Sequence, residues 1–284
     1  MYESYWNLKT KPFEIGCDPA FYFPAQGHQA VLMKLRYLLE TRRGNGLLLG
    51  ECGTGKSLLV AMLAELRRSG SAIGPFVEIN MPRFEARDIL FCIAERLESF
   101  LAPAAASAPS AAAASLGDPP PIYRAFSVIE RALVRLAAEQ QKPVLVIEGA
   151  DRIGDPEVWS VLASLTELED QGNPLLALLL TAEAKKMRRP IPSLENSLEA
   201  AAELFPLDLN ETAAYVEHRL RVAGAGEREI FTRGGLDAIW RLTGGNPRKI
   251  NRLGDMALLV GYAEKLSQID DEVVVNLNNE LIPT

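Results

Sequence analysis

The stretch Gly46-Leu47-Leu48-Leu49-Gly50-Glu51-Cys52-Gly53-Thr54-Gly55-Lys56-Ser57 constrains this chain more than any other. A short apolar run leads into G-x-x-x-x-G-K-S, and Leu58, Leu59, Val60, Met62 and Leu63 then continue at helical spacing. Strand, glycine-rich loop and helix, in that order, form the setting in which this pattern works as a phosphate cradle. Its glycines let the backbone turn tightly and aim successive N–H groups at one point. The helix that opens near Lys56 adds the positive end of its dipole. Lys56 is placed to reach β and γ phosphates, and Ser57 to set a hydroxyl on Mg²⁺. The expected nucleotide-binding set is Gly50, Glu51, Cys52, Gly53, Thr54, Gly55, Lys56, Ser57 and Leu58. The bare pattern arises by chance in roughly 1% of chains this long, so the flanking strand and helix carry the specificity.

The rest of the chain alternates strand and helix patterns up to residue 205. Phe76 to Asn80, Pro143 to Ile147 and Leu175 to Leu180 read as strands. Helical spacing marks 26–39, 55–68, 89–100 and 122–139, and Asp155-Pro156-Glu157 opens a further helix with a cap, a first-position proline and an acidic first turn. Such alternation predicts an α/β fold: a parallel sheet with helices on both faces, a three-layer αβα core. From Pro206 onward only helix patterns remain, which predicts a small all-helical domain over 206–284 behind a core of 46–205. Residues 1–45 form an aromatic and Pro-rich lead-in plus a helix, with Trp6, Phe13, Phe21 and Phe23 expected to pack on the folded protein. Trp6, Trp159 and Trp240 read as core. Residues 102–121 are almost wholly Ala, Pro, Ser and Gly and read as a loop insertion.

Composition narrows the function classes. Of 284 residues 48% are hydrophobic and 24% charged, enough for a large core. A net charge of -7 weighs against a protein whose main task is coating nucleic acid. Cys17, Cys52 and Cys92 show no metal-ligand spacing, and no run approaches the 18 apolar residues of a spanning helix. The expectation is a cytoplasmic protein without a membrane span.

A phosphate-loop enzyme needs an acid at a neighbouring strand end to hold Mg²⁺ and a group to orient water. Glu148 follows the strand ending at Ile147 and is the expected Mg²⁺-side carboxylate, joining Ser57 as a metal residue. Asp151 has two readings, a water-orienting group or a turn cap. Thr181, at the tip of the strand 175–180, reads either as a polar group aimed toward the γ-phosphate or as a plain strand-end threonine. In Gly244-Gly245-Asn246-Pro247-Arg248, Asn246 is a good N-cap and Pro247 suits the first helical position, so Arg248 falls in the first turn. A cation there opposes the helix dipole by about 0.3–1 kcal/mol, a cost that an anionic phosphate would offset. Lys249 and Arg252 beside it have a second reading as a small nucleic-acid patch, which the acidic balance does not favour.

At this point the sequence resembles AAA+ ATPases of the general secretion pathway protein A (ExeA) type. The resemblance rests on Tyr5-Trp6, Lys11-Pro12-Phe13, Asp18-Pro19 and Phe21-Tyr22-Phe23 near the start, and on Arg42-Arg43-Gly44 before the loop. It continues through Pro206-Leu207, Glu211-Thr212, Tyr215 and Arg219-Leu220, and through Gly245-x-Pro247-Arg248-x-Ile250-Asn251, similar to that family's second sensor. The resemblance implies a P-loop NTPase core with a helical lid, ATP and Mg²⁺ as cofactors, and ATP hydrolysis with Glu148, Asp151, Thr181 and Arg248 in or near the chemistry. It also implies self-association in the ATP state and coupling to an unknown protein partner. ATPases that regulate transposition share this core, which keeps nucleic acid among the possible partners.

The chain departs from that family at three places. Its magnesium strand end typically reads Asp-Glu-Ala; here Glu148-Gly149-Ala150 puts a glycine where the catalytic glutamate belongs. The first-sensor Gly-Gln is replaced by Thr181-Ala182. The position of the cross-subunit arginine aligns with Asn196-Ser197, or with Arg188 or Arg189 if a gap intervenes. A positioned base contributes about 10²–10⁴ in rate and an arginine finger about 10³–10⁵, so these losses imply nucleotide binding with doubtful turnover.

Overall fold

A computed structural model describes residues 1–41, 44–80, 85–101, 122–187, 191, 194 and 197–281 of the chain. The insertion expected at 102–121 lies outside the described residues, as do Arg42, Arg43, Arg188, Arg189 and Asn196. The described chain divides into two compact units, one of residues 31–50 and 63–203, the other of 1–30, 51–62 and 204–284.

The first unit is built on a five-stranded sheet. In chain order its strands are β1 (Asn45–Gly50), β2 (Phe76–Asn80), β3 (Val144–Glu148), β6 (Ala177–Ala182) and β7 (Leu198–Leu204). A two-stranded hairpin, β4 (Glu169–Asp170) with β5 (Asn173–Pro174), precedes β6. The spatial order is β2-β3-β6-β1-β7, with β1–β6, β3–β6 and β2–β3 paired in parallel. Central strands β1 and β6 are buried along their whole length, as expected of strands covered on both faces. Helices α3 (Ala86–Leu101), α4 (Ile122–Ala138) and α5 (Pro156–Thr166) supply Ile89, Ile93, Ile129, Leu133 and Leu162 to one core with Leu47, Val77, Ile147 and Leu180. Two further helices, α1 (Gln26–Glu40) and α2 (Lys56–Arg68), flank β1 in sequence.

Three expectations change. The strand expected at 175–180 runs instead from Ala177 to Ala182, so Thr181 lies inside it. Strand β7 was not expected at all. Its sequence LEAAAEL offers little apolar surface, yet it completes the sheet beyond β1. Trp6 and Trp159 are buried, but Trp240 is only half-buried.

The second unit collects α6 (Leu209–Val222), α7 (Arg233–Thr243), α8 (Pro247–Ala263) and α9 (Asp271–Leu281) around one core with the N-terminal aromatics. Trp6 is fully buried and donates its indole N–H to the Leu258 carbonyl at 2.9 Å; Tyr5 donates to the Leu266 carbonyl at 2.7 Å. The buried Arg219 guanidinium donates to the carbonyls of Pro12 and Glu14 and lies 4.7 Å over the Phe21 ring. A buried arginine is tolerated when its donors are matched and its flat face is covered. The lead-in is therefore a structural part of this helical unit.

Candidate nucleotide site

The phosphate loop leaves β1 at Gly50 and enters α2 at Lys56. An anion cradle requires N–H groups facing inward, so the loop carbonyls must turn outward and find donors. Four consecutive carbonyls find donors, that of Glu51 within the loop and its helix and the next three beyond it. Glu51 O accepts from Lys56 Nζ and from the Thr54 hydroxyl, both at 2.9 Å. Cys52 O accepts from Asn246 Nδ2 at 2.8 Å, and Gly53 O from the Arg248 N–H at 3.2 Å. Thr54 O lies 2.8 Å from His28 Nε2; because a carbonyl can only accept, that ring nitrogen carries the proton. His28 is itself buried.

Gly53 has two separate reasons to be glycine. Its φ is +88°, which disfavours any side chain. A Cβ there would also lie 2.6 Å from both the Arg248 Cβ and Asn246 Oδ1. Asn246 caps α8, its Oδ1 accepting from Arg248 N at 3.1 Å and Lys249 N at 3.4 Å. The Arg248 head is exposed, with Nη1 3.1 Å from the Cys52 sulfur, a weak acceptor that a harder anion would outcompete. Lys249 and Arg252 are also exposed, and Ser57 and Leu58 are partly buried in the first turn of α2.

With each of these carbonyls occupied by a donor, none of the backbone oxygens of residues 51–54 is left bare to repel a triphosphate. Lys56 donates to the Glu51 carbonyl and Arg248 to the Cys52 sulfur, acceptors that phosphate oxygen outcompetes, and the helix N-terminus adds a favourable dipole. The residues present fit an anionic nucleotide.

The second group of expected residues gathers at the strand ends of the sheet. Glu148 closes β3, partly exposed, with Thr181 of β6 as its register partner. Glu78 of β2 is half-buried, and its carboxyl is held above the ordinary range, by burial first and by Glu148 second. Thr181 is buried; its carbonyl accepts the Gly149 N–H at 3.0 Å, and its hydroxyl lies 3.4 Å from the same nitrogen. Asp151 accepts the Glu183 N–H at 2.9 Å, tying the turn after β3 to the end of β6.

Gly149 is in the left-handed region, φ +75°. A Cβ on it would fall 2.3 Å from Nη2, 2.6 Å from Nε and 2.7 Å from Cζ of Arg152. The space over this residue is thus filled by a guanidinium. Arg152, His28 and the second bond of Asn246 are features that sequence reasoning missed. His28 reads from the sequence as a capping or surface histidine, or as one near the adenine, with no sign of its bond to Thr54 O; Asn246 reads only as a cap, and nothing in the sequence marks Arg152 as folding back over Gly149.

A family model described as "AAA ATPase domain" matches residues 26–179. The chain is 31% identical over 268 residues to general secretion pathway protein A of Aeromonas hydrophila, covering 93% of this chain and 45% of that protein. It therefore spans less than half the length of that relative. Among solved structures it is similar to Cdc6p of Pyrobaculum aerophilum, with a TM-score of 0.68 at 16% identity over 95% of this chain and 70% of the other. The Drosophila ORC bound to DNA also has a TM-score of 0.68 at 16% identity, over 96% and 65%. At such identities these likenesses speak for the fold alone. The phosphate loop, the parallel sheet and the matched family model together make the chain a member of the AAA ATPase family.

Proposed function

We propose that this protein binds ATP with Mg²⁺, hydrolyses it slowly, and uses the bound state to drive conformational change or assembly of a partner complex. The observation that carries the binding is the phosphate loop with three successive carbonyls, those of Cys52, Gly53 and Thr54, turned to donors outside the loop. Residues 50–58 hold the phosphates. Lys56 moves from the Glu51 carbonyl onto phosphate oxygen, and Arg248 leaves the Cys52 sulfur for the same charge. Ser57 and Glu148 serve Mg²⁺, Glu148 through water, and Thr181 and Asp151 fix the turn that carries Glu148. ATP supplies the transferable phosphoryl group, and Mg²⁺ spreads its charge.

Slow turnover follows from the turn itself. The place of a water-activating carboxylate is taken by Gly149 under the Arg152 guanidinium, and a cation there cannot accept a proton from water. That observation favours a second reading: a nucleotide-dependent switch or scaffold in which hydrolysis is vestigial. Self-association in the ATP state and a role related to secretion rest on the likeness to general secretion pathway protein A. A transposition-type role on DNA is less favoured because the chain is acidic.

ATP affinity and steady-state phosphate release, measured on wild type and Lys56→Ala, test the proposal. Binding that depends on Lys56, with turnover above the variant's, supports the ATPase. Lys56-dependent binding with turnover equal to the variant's supports the switch. No ATP binding by the wild type overturns both.

A further inference from the structure

We propose that Asn246 is a positioning residue that holds Arg248 against the phosphate loop, so that ATP affinity depends on an amide whose obvious task is capping a helix. The inference rests on the nucleotide-binding function proposed above and names a determinant of that same site.

The amide of Asn246 is used at both ends. Its oxygen accepts from two N–H groups of the first turn of α8, and its nitrogen donates to the Cys52 carbonyl at 2.8 Å. The two ends cannot be exchanged: the oxygen faces donors and the nitrogen faces an acceptor. Asn246 is 5% exposed, so water does not replace either bond readily. The Arg248 N–H is shared between Asn246 Oδ1 and the Gly53 carbonyl, at 3.1 and 3.2 Å. The start of α8 is thus fastened to two successive loop carbonyls, and the missing Cβ of Gly53 leaves room for the approach.

This arrangement separates two roles that an N-cap usually merges. Aspartate caps a helix as well as asparagine does. It has no N–H to donate, and its charged oxygen would face the Cys52 carbonyl. Asn246→Asp therefore keeps the cap and removes the link to the loop. Serine keeps a capping oxygen, and its hydroxyl is too short to span to the loop.

The test measures ATP and ADP affinity with fluorescent analogues on wild type, Asn246→Asp, Arg248→Ala and the double variant, with thermal unfolding of each. The expected result is an ATP affinity at least about tenfold weaker in Asn246→Asp, with ADP affected less. The double variant should be no weaker than Arg248→Ala, because coupled residues do not add. Wild-type ATP affinity in Asn246→Asp, or losses that add in the double variant, would overturn the proposal and leave the binding function standing. If Asn246→Asp does not fold, Asn246→Ser carries the same expectation and the same refutation. A wild type that binds no ATP refutes the proposed function, and this inference with it.

Discussion

Gly149→Glu is the most direct way to ask why turnover should be slow. It places at this position the carboxylate that the sequence resemblance implies, and the structure gives the cost. The backbone there has φ +75°, and an L-residue in that region is disfavoured by about 1 kcal/mol. The new Cβ would lie 2.3 Å from Arg152 Nη2, closer than any real contact. The obstacle is the far end of a flexible side chain, so the guanidinium swings aside and the protein folds. The displaced cation then stays beside the new carboxylate and pairs with it, leaving a poor base. The expected outcome is a stability loss of about 1 kcal/mol in urea and a turnover change of less than about threefold. Gly149→Glu with Arg152→Ala removes the competing cation and should raise turnover at least about tenfold, toward the lower part of the 10²–10⁴ that a positioned base contributes. Phosphate release at saturating ATP and Mg²⁺ reads both. A hundredfold rise in the single variant would refute the claim that Arg152 obstructs the position. An unchanged double variant that still binds ATP would refute the claim that Gly149 limits the rate.

Three further predictions concern the helical unit. Trp6→Ala empties a fully buried site and strips the Leu258 carbonyl of its indole donor, so a loss of about 3–5 kcal/mol is expected in urea unfolding; less than 1 kcal/mol would show that the lead-in is dispensable. Arg219→Leu removes the donors that the Pro12 and Glu14 carbonyls use and should cost about 2–4 kcal/mol by the same measurement, a neutral effect counting against the buried network. His218 lies against Phe23, and burial first, with Arg221 and Arg219 after it, depresses its pKa below the ordinary 6.5. The folded state therefore resists a proton that the unfolded chain accepts, so stability is full above pH 6.5 and falls progressively below it. His218→Gln should flatten that fall between pH 7.5 and about 5, and an unchanged pH profile would remove His218 as its source.

What was legible in the sequence follows from how local each signal is. The β1–loop–α2 unit needs only adjacent residues, and Asp155 caps α5 through the Glu157 N–H as the Asp-Pro-Glu pattern implies. Strand β7 failed because its alternation, Glu199, Ala201 and Glu203 outward with Ala202 and Leu204 inward, is carried by alanine, a weak strand former. The β4–β5 hairpin failed for a similar reason. Its turn is Gln171-Gly172, both at positive φ, where asparagine or aspartate would have signalled it. The lead-in's aromatics announced burial but not their partners, because Trp6 meets Leu258 across 252 positions of chain. At the site, residue types were readable while orientations were not. Asn246 reads as a cap from its neighbours, but its second bond reaches Cys52 across 194 positions.

The same distinction alters what the phosphate-loop motif means in this chain. Read as a string, it names residues that offer N–H groups, and its glycines serve only the turn. In three dimensions the cradle depends equally on what satisfies the opposite side of the loop. A peptide whose N–H points inward has its carbonyl pointing out, and an unpaired outward carbonyl would let the loop relax toward other geometries. Here the donors to Cys52, Gly53 and Thr54 come from Asn246, Arg248 and His28, none of which belongs to the motif. Gly53 joins the two descriptions, since its missing side chain serves both the turn and the close approach of α8. Preorganisation of the cradle is therefore a property of the whole helical unit, and the motif alone is only the half of it that a sequence displays.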